Sequence, residues 1–144
     1  MAKYLTEILK ELNDDPKLAD TVYKDNSYLK TIFKHAYLAE FKFNIISGTP
    51  PYTKNAKPMG LAETNLLFEM RKFNIFIRKD LTKLKMESLF ISLLEMLHED
   101  EAEILIAIKD QKLNKLYRRL NKKFAIEKGY IEDDKIQEEP APTA

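Results

Sequence analysis

Cysteine and tryptophan are both absent from the 144 residues, and glycine occurs only three times. Without cysteine there is no disulfide, no thiolate nucleophile and no thiolate metal site, and the chain suits a reducing compartment. So few glycines leave no Gly-rich phosphate loop, and they argue against a barrel or sandwich built on many tight turns. No apolar run approaches the roughly 18 residues of a membrane span. The N-terminal Lys3, Glu7, Lys10 and Glu11 are too charged for a secretory leader. The expectation is a soluble, cytoplasmic protein.

Histidine is nearly absent too. His35 and His98 are the only imidazoles, and neither belongs to an H-E-x-x-H motif or to a Ser/His/Asp grouping. His35 follows Lys34 on a helix beside Phe33 and Ala36, which favours a packing or hydrogen-bonding role. Glu99, Asp100, Glu101 and Glu103 lack the spacing of a calcium loop, and capping of a helix explains them at no extra cost. No catalytic, cofactor or metal residue can be assigned, and the expectation is a non-enzyme.

What is present is helical periodicity. Hydrophobic residues make up 44% of the chain, enough for a core in one domain of this length. The stretch from Met86 to Leu120 organises the rest. Met86, Leu89, Phe90, Leu93, Leu94 and Leu97 mark one helix face. After an acidic turn, Ile104 to Ile108 form a continuous apolar run. Periodicity alone would allow a strand there, but acids in front and lysines behind match a helix dipole. Being apolar nearly all round, this helix is expected to be buried. Leu113, Leu116, Tyr117, Leu120 and Phe124 continue the stripe, with a break near Asp110 and Gln111 leaving one helix or two open.

Upstream, the pattern gives helices over residues 3–13, from Pro16, from Tyr28 and over residues 62–77, with a short extended segment at Phe41, Phe43 and Ile45. The last of these helices carries more apolar surface than one contact uses: Leu66, Leu67, Phe68, Met70, Phe73, Ile75, Phe76 and Ile77. It is expected to lie either centrally in the bundle or in an oligomer interface. Residues 47–60 hold three of the six prolines and read as one long loop. Pro50, Pro51, Tyr52, Pro58 and Met59 are candidate partner contacts; the bland alternative is that Tyr52 packs back onto the domain. Gly129 is a candidate helix cap, and residues 132–144 read as a disordered acidic tail. The fold class expected is all-α: one domain over residues 1–131, a compact bundle of about six or seven short helices with one long Pro-containing loop.

Charge is uneven beneath a net +1. Residues 71–85 and 109–128 are basic, residues 86–108 acidic, and the tail acidic again. Lys115, Arg118, Arg119, Lys122 and Lys123, with Arg71, Lys72, Arg78 and Lys79, are candidate phosphate contacts. Against that, nucleic-acid binders are usually basic overall, and a charge run is most often a solvated face.

Several segments taken together are similar to an uncharacterised family of small proteins of T4-like tailed phages, marine ones especially. They are Thr49-Pro50-Pro51-Tyr52, Pro58-Met59-Gly60, Glu69-Met70-Arg71-Lys72, Ser88-Leu89-Phe90-Ile91, and Glu101-Ala102-Glu103 followed by Leu105-Ile106-Ala107-Ile108-Lys109-Asp110. The similarity covers about residues 5–131. It implies a phage product in the infected bacterial cytoplasm, and it carries no known activity or site residue. Three functions are expected in order: an accessory adaptor that binds another protein or its own copy, a nucleic-acid-binding accessory factor, and a small virion component.

Overall fold

The helix that the others surround is α5 (Glu99–Lys109). Every residue from Glu101 to Lys109 except Glu103 is buried, as expected of a helix that is apolar on all sides. Its start is sharply set. His98 accepts the Asp100 N–H at its Nδ1, 3.0 Å away, and Glu99, Asp100 and Glu101 occupy the positive first turn. Against this axis pack α1 (Leu5–Asp14), α2 (Ser27–Tyr37), α4 (Lys83–Met96) and α6 (Leu113–Leu116). Two further helices, α3 (Leu66–Glu69) and α7 (Lys122–Glu127), complete an all-α bundle with seven α-helices and three 3-10 segments among the described residues. The computed structural model describes residues 4–46, 48–58 and 61–132. Among them there is no strand, only one isolated bridge between Asn55 and His98. No described helix is long and apolar enough to cross a membrane. Of the acidic tail expected over residues 132–144, all but Glu132 lies outside the described residues.

The early helices follow from periodicity and caps. Leu5, Ile8, Leu9 and Leu12 form the buried side of α1, while Glu7 accepts the Tyr4 N–H at 2.8 Å. The helix expected from Pro16 is only a 3-10 turn, Pro16–Asp20, and Val22 is exposed rather than packed. Asn26 caps α2 by accepting the Leu29 N–H. Leu29, Ile32, Phe33 and Ala36 face inward, and Tyr28 is 46% exposed.

The single helix expected over residues 62–77 is corrected. It starts later, at Leu66 under the Asn65 cap, and after one turn it tightens into a 3-10 segment, Met70–Ile77. A 3-10 winding repeats every three residues, and Met70, Phe73 and Phe76 fall in one buried row. Phe73 and Phe76 join Phe43, Phe90 and the His35 ring in a cluster of aromatic contacts, edge-on except for the tilted Phe43–Phe76 pair, with centroids 5.1–6.2 Å apart. The segment is therefore central in the bundle, and most of its apolar surplus is spent there. The extended segment expected at Phe41, Phe43 and Ile45 is corrected: Phe41 ends a 3-10 turn, Ala39–Phe41, and residues 42–46 pass beside Phe76 with bends at Asn44 and Ile45, the Asn44 N–H donating to the Phe76 carbonyl at 2.7 Å.

The stripe expected from Leu113 to Phe124 is also broken. Residues 117–121 leave the helix between α6 and α7, and Leu116 is 43% exposed. The chain does turn at Asp110 and Gln111. Gln111, at φ +56°, donates its N–H to Ile108, and the Lys112 N–H reaches Ala107, which closes α5 in a Schellman motif. Gly129, at φ +77°, closes α7 the same way with its N–H on Ile126 and that of Tyr130 on Ala125.

Candidate partner-binding surface

The long loop is fastened down. Lys109, expected in a basic run, is the wholly buried last residue of α5. Its ammonium donates to the Ile46 carbonyl at 2.7 Å, the Gly48 carbonyl at 3.0 Å and the Asp110 carboxylate. Those three acceptors match its three donors. Asp110 in turn accepts the Gly48 N–H at 3.1 and 3.2 Å. Further on, the Thr53 N–H donates to Glu95, and the Asn55 amide to the Glu95 carbonyl and the Glu63 carboxylate. Tyr52 packs against the core, where burial and then Glu103 and Glu99 raise its pKa. Of the candidate loop residues, Pro51 and Pro58 are exposed, Pro50 and Tyr52 half-buried, and Met59 lies outside the described residues.

The nine candidate phosphate contacts lie on two stretches, four at residues 71–79 and five at residues 115–123. Lys72 stands 3.0 Å from Glu69, and Arg78 holds Asp80 through two nitrogens. Arg119 donates its guanidinium to the carbonyls of Asn13 and Asp14, and its N–H to the Asn13 side chain, which closes the C-terminal end of α1. Arg71 lies over the Phe68 ring at 4.3 Å from its centroid. Lys79, Lys115, Arg118 and Lys123 are exposed and Lys122 half-buried, but the break at 117–121 removes the shared helical face.

Two buried carboxylates escaped sequence reasoning. Glu101 turns away from its exposed neighbours and accepts the Leu66 N–H at 3.0 Å, tying the start of α3 to α5. Burial raises its pKa, while the N–H groups of Leu66 and Leu5 and the charge of His98 pull it down. Glu69 accepts the Thr64 hydroxyl at 2.7 Å. Burial opposes its charge, but Thr64, Lys72 and Arg71 together hold its pKa below the ordinary value. Only the position of Glu101 on the inner face of an otherwise apolar helix hinted at this.

The surface with the composition of a binding hot spot lies elsewhere. Between the start of α2 and α3 is an open groove of about 380 Å³, lined by Tyr28, Thr31, Leu67, Phe68 and Arg71. Phe68 is 55% exposed, and the Arg71 guanidinium covers one face of its ring. Aromatic residues and arginine are the types enriched at interfaces and at their energetic centres. Sequence reasoning found the apolar excess of 66–77, but it could not tell that Phe68 would stay outside while Phe73 and Phe76 turned in.

A family model described as a family of unknown function (DUF6433) matches residues 7–115. No curated protein and no solved structure matches the chain.

Proposed function

The chain belongs to the DUF6433 family of unknown function, and we propose that it works as a non-enzymatic accessory adaptor that binds another protein. The observation that carries this is the Tyr28–Phe68–Arg71 patch. A ring left half in water with a guanidinium already stacked on it loses little freedom on docking, so its burial goes mainly into affinity. The similarity to phage-encoded proteins supplies the setting, an infected bacterial cytoplasm.

The test is an affinity capture of tagged protein from infected cells, run with and without nuclease, for the wild type and for Phe68→Asp. A protein that is retained after nuclease and lost with Phe68→Asp, at a cost of roughly 2 kcal/mol or more for a hot-spot side chain, supports the reading. If that retained protein is a second copy, the adaptor is a homo-oligomer. A partner indifferent to Phe68 sinks the assignment of this patch. Recovery of nuclease-sensitive material alone favours the nucleic-acid reading, carried by the exposed Lys79, Lys115, Arg118 and Lys123.

A further inference from the structure

A second surface, distinct from the Phe68 patch, lies where the bent segment 42–46 meets the end of the 3-10 segment and the start of α4. Asn44 holds it open: its N–H bonds the Phe76 carbonyl, and its side-chain amide bonds the carbonyls of Ile77 and Arg78 at 3.1 and 3.0 Å. The result is a groove of about 480 Å³, within the size range of pockets that hold small ligands or a few side chains. Its floor is aliphatic, from Ile45, Leu81 and Met86, and Ile46 stands on its lip 74% exposed. Around it are Lys42, Arg78, Lys79 and Lys83, and among the described residues no acid lines it. Asp80 balances Arg78 alone, so the rim keeps an excess of positive charge.

The geometry points to a docking groove for an extended acidic segment of a partner protein, with aliphatic side chains against Ile46 and Leu81 and carboxylates against Lys42, Lys79 and Lys83. Charge complementarity chooses an acidic occupant, and the aliphatic floor chooses an amphipathic one. Single-stranded nucleic acid is disfavoured because its binding sites stack bases on exposed rings. The one ring that lines this groove among the described residues, Phe43, is 1% exposed and turned inward. Because Asn44 already fixes both walls, little ordering is left for the partner to impose.

The experiment uses the full chain and short fluorescein-labelled peptides read by fluorescence anisotropy. One alternates Glu with Leu; a second replaces Leu by Ser; a third is residues 132–144 of this chain, and a labelled oligothymidylate serves as the nucleic acid. Binding of the Glu/Leu peptide is expected, weakened about tenfold by Ile46→Asp and by Lys42→Glu with Lys79→Glu, but less than about threefold by the equal charge change Lys115→Glu with Lys123→Glu. Thermal melts of the variants confirm that these surface changes leave the fold in place. The proposal is overturned by absent binding, by equal binding of the Glu/Ser peptide, or by equal loss in the Lys115/Lys123 variant. Tighter binding of oligothymidylate, or of the 132–144 peptide, also overturns it, in favour of nucleic acid or of self-contact. All these outcomes are independent of the Phe68 patch, so failure here leaves the capture experiment standing.

Discussion

His35 sets its Nδ1 2.8 Å from the Phe41 carbonyl, and a carbonyl only accepts, so that nitrogen carries the proton. The ring is 3% exposed and packed edge-on against Phe41, Phe43 and Phe73. Burial lowers its pKa below the ordinary 6.5; the Phe41 carbonyl works the other way, and Lys34 adds to the lowering. The unfolded chain therefore takes up this proton first as pH falls. Stability from the neutral ring is intact above pH 6.5 and declines below it, toward the lower folded pKa, with a limiting slope of about 1.4 kcal/mol per pH unit. Thermal melts from pH 7.5 to 5.5 should show the wild type losing more stability than His35→Gln. Glu101 acts in the opposite sense over the acidic range, since its raised pKa relieves a buried charge as pH falls. It is present in both proteins and cancels from the comparison. The packing role of His35 was legible from its apolar neighbours, whereas its partner Phe41, six residues on, was not.

Among elements, those with strong periodicity and a side-chain cap were legible: α2, α4 and α5 stand close to where Asn26, Thr82 and His98 start them. Residues 66–77 misled because Met70, Phe73 and Phe76 fit a period of three, and the extra apolar residues between them mimic a wider helix. Residues 113–124 misled for another reason. No glycine or proline interrupts them, and the break comes from afar, where Asn13 takes the Arg119 N–H. Asn121, which caps α7 by accepting the Phe124 N–H, was the one local signal. The turn at Gln111 offers a test. A side chain at φ +56° is strained, yet the Gln111 amide closes α2 by donating to the carbonyls of His35 and Leu38 at 3.3 and 3.1 Å. Both Gln111→Gly and Gln111→Ala lose those bonds, but only glycine relieves the backbone. Chemical denaturation should rank wild type above Gly, and Gly above Ala by about 1 kcal/mol.

At the scale of the molecule, the family match ends at residue 115 while the core does not. Leu120, Phe124, Tyr130 and Ile131 are all buried. Burying side chains of this size contributes roughly 1.5–3 kcal/mol each, a sum comparable to the whole stability of a domain. A chain ending at residue 116 is expected to lose its cooperative melt in circular dichroism; retention of the full-length transition would contradict the packing described. The candidate surfaces were the least legible part, because exposure of Phe68 and Ile46 depends on which neighbours the tertiary fold brings over them. The bonds that join the two ends of the described chain carry one more consequence. Asn13 meets Arg119, Asp20 meets Lys128 at 2.9 Å, and the Tyr23 carbonyl meets the Tyr130 hydroxyl at 2.7 Å. On a translating ribosome these partners emerge about a hundred residues apart, a delay of roughly 5–20 s at a synthesis rate of about 5–20 residues per second. Through that interval the side of α2 that meets α7 stays uncovered, so these ties close only after residues 119–130 have left the exit tunnel.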